Sequence, residues 1–183
     1  MGNVTTNAKD IVVIDTSDAA GTLSQAFRGF TGLTMSSVKT MAANVYAQVI
    51  KQHADIRGLR ILDHGNQTGC QMGKDWVTTA NFSTYWHDLG KLKGTFCPYS
   101  GFVQLQHCLM GKNTPLMHEF AKLWNVPVYG GEWYTNALGL NIFAYEYEGL
   151  SGAVKAVPNP FKGFQQWVRV DPSGAVTYNV SVP

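Results

Sequence analysis

Apolar runs alternate with helical patterns along the first two thirds of the chain. Four runs rich in valine, isoleucine and leucine stop at polar or glycine residues, which predicts buried strands, at residues 10–18, 56–65, 100–111 and 126–132. Apolar residues at helical spacing predict connecting helices, over about residues 38–54, 82–92 and 113–125. Strands that alternate with helices predict an α/β fold, a three-layer sandwich with a mainly parallel central sheet and helices on both faces.

The pattern changes near the C-terminus. The sequence DPSG, at residues 171–174, is typical of a tight turn, and Val176, Tyr178 and Val180 alternate with polar residues after it. This alternation predicts an antiparallel β-hairpin over residues 164–183, with one wet face. No internal repeat or linker interrupts the chain, so we predict a single domain over residues 1–183 with a polar leader at residues 1–9.

Charged residues are few in this protein, and their number and balance narrow the classes of partner that fit the chain. Charged residues make up 14% of the chain, hydrophobic residues 45%, and the net charge is +2. This balance is typical of a folded globule, and no run of lysine or arginine favours nucleic acid as a partner. No apolar run approaches the roughly 20 residues of a membrane span. We therefore predict a cytoplasmic location, without excluding export by another route.

The chain has three cysteines, an odd number that is too small for a disulfide framework. Cys70 and Cys97 could form a disulfide only in an oxidising compartment. No Cys-x-x-Cys pair is present and the histidines lack the spacing of metal ligands, so neither a metal nor a cofactor is expected.

Two of the predicted strands end in residues with catalytic potential. The second ends in Asp63-His64-Gly65, and the third in His107-Cys108. Because ligands bind at the carboxyl ends of parallel strands, His64 and Cys108 are expected at one edge of the sheet. An imidazole beside a thiol is the minimum apparatus for thiol nucleophilic catalysis. The amides of Gly65 and Cys108 would then stabilise the oxyanion, since glycine leaves its amide accessible to substrate. Successive strand residues face opposite sides, so His107 should point away from Cys108.

An apolar strand followed by His-Gly, and a second followed by Cys-Leu-Met-Gly, resembles the caspase-hemoglobinase cysteine peptidases, in particular the clostripain-like and CHAT peptidases. The resemblance covers about residues 10–135. It implies His64 as the base, Cys108 as the nucleophile and the Gly65 amide in the oxyanion hole. It also implies substrate recognition by the ends of the first and fourth strands, at Asp15, Thr16 and Glu132. The carboxylates there would favour a basic residue before the cleaved bond. Among the aromatic residues that follow the fourth strand, Trp133 is a candidate for the wall of the substrate pocket.

Three functions fit these residues. The first is a cysteine endopeptidase with a peptide or protein substrate. The second is a catalytically inactive member of the same fold that serves as a binding or assembly module, since Gln106-His107 departs from the small or acidic pair that usually precedes the cysteine in clostripain-like sequences. The third is an amide hydrolase that acts on small molecules. The sequence does not determine the oligomeric state.

Overall fold

The computed structural model describes residues 7–15, 32–132, 143–147, 154–158 and 167–183, and for 143–147 and 154–158 it describes the backbone alone. The strands within these ranges are β1 (Ala8–Asp15), β2 (Leu33–Met35), β3 (Asp55–Leu62), β4 (Gly65–Asn66), β5 (Gly69–Met72), β6 (Asp75–Val77), β7 (Phe102–Gln106), β8 (Val128–Gly131), β9 (Phe143–Tyr147), β10 (Val154–Pro158), β11 (Trp167–Val170) and β12 (Val176–Val180). The α-helices within these ranges are α1 (Val38–Gln52), α2 (Trp86–Leu89) and α3 (Thr114–Trp124).

The central sheet has seven strands in the order β12-β11-β8-β7-β3-β1-β2. The five from β8 to β2 run parallel, and β11 and β12 are antiparallel additions at one side. This arrangement confirms the mixed α/β class with a mainly parallel sheet and is consistent with a three-layer sandwich. The carboxyl ends of β1, β3, β7 and β8 lie at one edge, which is the edge where the candidate residues follow.

Both long helices begin where the sequence provides a cap. Ser37 caps α1 through a capping box, in which its side chain accepts from the Thr40 N–H and the Thr40 hydroxyl accepts from the Ser37 N–H. Asn113 caps α3 by accepting from the Leu116 N–H, and Pro115 lies in the first turn. The apolar stripes of both helices enter one continuous core with the strands.

Alternate strand residues are buried on both faces of the sheet. Leu59, Ile61, Val103 and Leu105 belong to the core that α1 and α3 share. On the opposite face, a second cluster consists of Phe102, Tyr129 and Trp167, each at most 5% exposed. Burial on both faces is what a central layer of a sandwich requires.

Several boundaries differ from those expected. The second strand ends at Leu62 and the third at Gln106, so the residues of interest lie beyond the strands, not within them. The expected helix over 82–92 is α2 flanked by two 3-10 turns. The largest difference lies at residues 65–77, for which the sequence predicted no strand beyond residue 65. There β4, β5 and β6 form a separate three-stranded antiparallel sheet, which we call the small sheet.

The C-terminal hairpin is present, and its two strands differ in burial. Trp167, Val168 and Val170 of β11 are buried, whereas Val176 and Tyr178 of β12 are 39% and 56% exposed, because β12 is the outermost strand of the sheet. Val180 and Val182 are partly buried against the cluster of Phe102 on the second face.

Within the residues that the structure describes, no helix has the length and apolar character needed to cross a membrane.

Candidate active site

The pairing of β3 with β7 brings the two catalytic candidates to the same level. The strands are parallel, and their last register pair is Leu62 with Gln106. His64 and Cys108 each follow that pair by two residues, so both leave the same edge of the sheet side by side. His64 is exposed and Cys108 is partly exposed. The edge where they lie therefore gives a substrate access to both.

Gly65 is where the two strand ends touch. A Cβ added to Gly65 would lie 2.6 Å from the Cβ of His107 and 3.2 Å from the Cys108 carbonyl oxygen. The absence of a side chain therefore allows the strand ends to pack closely. The access of substrate to the Gly65 amide and the role of that amide in the oxyanion hole stay predictions.

The small sheet determines the direction of the Gly65 amide. Gln71 N–H donates to the His64 carbonyl at 2.8 Å, whereas the His64 N–H donates to Asp63. In an antiparallel sheet the bond between Gln71 and His64 lies next to a non-hydrogen-bonded pair, which here is Gly65 with Cys70. The Gly65 N–H therefore points away from β5, at the free edge of the small sheet.

The Asp63 carboxylate links the end of β3 to the small sheet. Asp63 was not identified as a functional residue from the sequence. One carboxylate oxygen accepts from the His64 N–H at 2.7 Å, and the other accepts from the Gly73 N–H at 2.8 Å. Burial raises the pKa of Asp63 to about 6, with a smaller contribution from the charge of Asp15. Its position next to a strand-terminal histidine was the signal that could have identified it.

His107 has a structural environment. Its side chain is fully buried, and Nε2 lies 2.9 Å from the Gln71 carbonyl oxygen. Burial lowers the pKa of His107 to about 4, so the ring is neutral at physiological pH. Its contact with Gln71 in the small sheet agrees with the expectation that it does not serve as the base for Cys108.

The chain turns sharply after Cys108. Leu109 has a φ of 58°, a left-handed conformation that non-glycine residues rarely adopt and that clusters at functional sites. Two residues later, a Cβ on Gly111 would lie 2.7 Å from the Gly130 carbonyl oxygen and 3.0 Å from the Glu132 nitrogen. The turn after Cys108 thus packs directly against the end of β8, where Glu132 follows.

The expected substrate-binding residues are only partly within the described part of the chain. Asp15 is the last residue of β1, is 2% exposed, and interacts electrostatically with Asp63. Glu132 is half-buried directly after β8. Thr16 and Trp133 lie outside the described residues. The carboxylates of Asp15 and Asp63 thus form an acidic pair at the edge that carries His64.

All three cysteines are free thiols. Cys70 pairs with Gly65 at the carboxyl end of β3, whereas the Cys97 N–H donates to the Ile56 carbonyl at its amino end. These positions are separated by most of the length of a strand, far more than the ~4.4–6.8 Å between the Cα atoms of a disulfide. A Cys70–Cys97 disulfide is therefore excluded in this fold. Burial raises the pKa of both thiols, which leaves them unreactive.

Comparisons of the chain with protein-family models, curated proteins and solved structures find no significant match. The chemistry of the site is therefore argued from the arrangement of its residues alone.

The described residues contain no group of three or more histidine, cysteine or carboxylate side chains that could hold a metal ion. Two neighbouring surface cavities, of about 660 and 580 Å³, lie at the amino ends of the strands, remote from His64 and Cys108. Both are lined in part by Lys93 and Gly94 and contain neither candidate residue. In parallel sheets ligands bind at the carboxyl ends, where a histidine, a thiol and two carboxylates converge in this protein.

Proposed function

We propose that this protein is a thiol hydrolase, a cysteine endopeptidase in which His64 and Cys108 form the catalytic dyad. The observation that carries the proposal is the common register of the two residues beyond adjacent parallel strands, with the strand ends in contact at Gly65. The sharp turn at Leu109 and the partial exposure of Cys108 further support a nucleophile.

The reaction requires only the groups at this edge. His64 takes the thiol proton of Cys108, and the thiolate attacks the carbonyl carbon of the scissile amide. His64 then gives the proton to the amide nitrogen, the carbon–nitrogen bond breaks, and the amine leaves while the acyl group stays on Cys108 as a thioester. A water molecule, deprotonated by His64, attacks the thioester, releases the acid and restores the thiol.

Two backbone amides are assigned to the oxyanion, those of Gly65 and Cys108. The direction of the Gly65 N–H supports this assignment, because the N–H points out from the edge of the small sheet and is not used in pairing with β5. Donors of this kind are effective because they are already oriented toward the charge that develops in the transition state.

The substrate is proposed to be a peptide or protein with a basic residue before the cleaved bond. Asp15 and Glu132 follow the strands on either side of the dyad, and Asp63 adds a third carboxylate beside Asp15. Thr16 is assigned to the same subsite from the resemblance to clostripain-like peptidases, and Trp133 is assigned to the pocket wall from its position after β8. Opposite charge at a partly desolvated site contributes up to about 4 kcal/mol. Nucleic acid is not proposed as a partner.

We also propose a cytoplasmic location, which the cysteine count supports, since three cysteines are too few for the disulfide framework of a small secreted domain.

The test is the reactivity of Cys108 toward iodoacetamide at neutral pH. His64→Ala should slow the labelling of Cys108 about 10-fold, because the imidazole no longer removes the thiol proton. His87→Ala is the matched control, since His87 is a surface residue of α2, and it should leave the rate unchanged. If native Cys108 labels no faster than in urea, or if His64→Ala has no effect, the dyad is absent.

Hydrolysis is then measured on a peptide library, where Cys108→Ala should lower kcat/KM on the order of 10³-fold or more. A binding module would hydrolyse nothing and would be unaffected by Cys108→Ala. An amide hydrolase for small molecules would cleave small amides in preference to peptides.

A further inference from the structure

The small sheet has one face in the core and one face in solvent. Cys70, Met72 and Val77 are fully buried and belong to the main hydrophobic core. The neighbouring residues Gln71 and Trp76 therefore point outward, because successive strand residues alternate between the faces of a sheet. This outer face begins at His64 and is continuous with the proposed active site.

Register places three outward residues in one row across the small sheet. Gln71 is opposite Trp76 in the β5–β6 pairing, and the Gln71 N–H donates to the His64 carbonyl. Directly opposite residues of antiparallel strands have side chains on the same face. His64 and Trp76 are exposed, Trp76 by 37%, and Gln71 between them is partly exposed. The row His64-Gln71-Trp76 is therefore accessible from solvent along its length.

Gln71 is held by hydrogen bonds, and the indole of Trp76 extends from β6 over β5. The Gln71 side chain donates to the Gly73 carbonyl at 2.7 Å, and its own carbonyl lies 2.9 Å from His107 Nε2. A Cβ on Gly69 would lie 2.9 Å from Trp76 Nε1, so the indole leans over Gly69 toward β4. The indole of Trp76 is thus an exposed aromatic surface two strands away from His64, on the same face of the small sheet.

We propose that Trp76 is a substrate-binding residue that contacts an apolar side chain on the leaving-group side of the scissile bond. The inference rests on the proposed function, since it takes the direction of the substrate from the dyad. The base gives its proton to the leaving amine, so the residues after the cleaved bond leave the site on the His64 side. The outer face of the small sheet continues the site on that side.

The dimensions indicate which substrate residue reaches the indole. Two strand spacings of about 5 Å separate His64 from Trp76, a span of about 10 Å. An extended peptide covers this distance in about three residues at ~3.3 Å each. The third residue after the cleaved bond is therefore the one expected to contact Trp76.

The experiment compares substrates with and without residues after the bond. One set consists of internally quenched peptides with a basic residue before the bond and phenylalanine or glycine at the third position after it. The other is a short peptide with the same acyl side and an aminocoumarin leaving group. Wild type should prefer phenylalanine over glycine about 10-fold in kcat/KM. Trp76→Ala should abolish that preference and leave the aminocoumarin substrate unaffected.

Two further variants separate binding from structure. Trp76→Phe keeps an aromatic ring and should retain most of the preference. Trp86→Ala is the matched control, because Trp86 is 53% exposed on α2, outside the small sheet, and it should change neither substrate. If Trp76→Ala lowers both substrates equally, or lowers neither, the inference is wrong while the proposed function stands. If wild type cleaves neither substrate, the proposed function fails and the inference fails with it.

Discussion

Asp63 combines contacts that have opposite effects on its ionisation. The backbone N–H groups of His64 and Gly73 favour the carboxylate, while burial and the neighbouring carboxylate of Asp15 favour the protonated form. Burial is the largest of these effects, so the pKa of Asp63 lies near 6. Buried Cys70 also lies near enough for the Asp63 charge to help raise its pKa. A carboxylate beside the proposed base is therefore only partly ionised in mildly acidic solution.

Asp63 should make stability depend on pH. Its pKa is raised on folding, so the stability it contributes is present below the unfolded value of about 3.9 and is lost as pH rises through about 6. Asp63→Asn does not titrate. The free energy of unfolding of wild type, relative to that of Asp63→Asn, should therefore fall between pH 4 and pH 7, by on the order of 1–2 kcal/mol after allowance for the partial exposure of the carboxyl.

Urea unfolding of both proteins at pH 4, 5, 6 and 7 measures this difference. A constant difference would mean that the two backbone hydrogen bonds cancel the effect of burial, and a difference that grows with pH would mean that they outweigh it and favour the carboxylate in the folded protein.

At the scale of elements, the sequence pattern predicted the strands, helices and turns that depend on interactions between residues close in the sequence. Periodicity and turn chemistry predicted the strands at residues 10–18, 56–65, 100–111 and 126–132, the helices over 38–54 and 113–125, and the C-terminal hairpin, although the boundaries differ by several residues. The position of His64 and Cys108 at strand ends could also be predicted from the sequence, because polar residues after an apolar run mark the end of a strand in a parallel sheet.

The small sheet was missed because its strands have two to four residues, too few for a clear period. Its signal was nevertheless present. Cys70 and Met72 alternate with Gln71, and the turn at Gly73-Lys74 leads into Asp75, as in a two-residue hairpin. Trp76 acquires its proposed role only from the pairing of that sheet, so its significance could not be seen from the sequence.

The junction between β4 and the end of β7 should be sensitive to one methyl group. Gly65→Ala places a Cβ 2.6 Å from the Cβ of His107, which is held in place by burial and by its contact with Gln71. We expect a loss of about 1–3 kcal/mol in the free energy of unfolding, as for overpacked cores. Labelling of Cys108 should change as well, because the strand ends must separate.

Gly90→Ala is the matched control, since no atom lies within 4 Å of a Cβ there and the backbone φ is −61°. It should be neutral or stabilise by up to about 1 kcal/mol. Equal stabilities of the two variants in urea would show that the strand ends are not in close contact at Gly65.

At the scale of the whole molecule, the hairpin is part of the sheet and not an appendage. β11 pairs with β8, which carries the chain toward Glu132, and the side chain of Trp167 packs with Phe102 and Tyr129 on the second face. The sequence predicted a hairpin with one wet face but did not indicate that β12 would be the outer strand. Position in a sheet depends on which distant strands pair, and periodicity within one strand carries no information about that.

Trp167→Ala should therefore destabilise the molecule as a whole. Trp167 is 3% exposed, and removing its side chain should lower the free energy of unfolding by about 3–5 kcal/mol. Circular dichroism and tryptophan fluorescence in urea should give one coincident transition, at a lower midpoint than in wild type, because the hairpin and the parallel strands share one sheet. Tyr178→Ala, on the exposed side of the same hairpin, should change stability by no more than about 0.5 kcal/mol. An early, separate transition in Trp167→Ala, with the midpoint of the remaining signal unchanged, would contradict a single domain over residues 1–183 and would make the hairpin an independent unit.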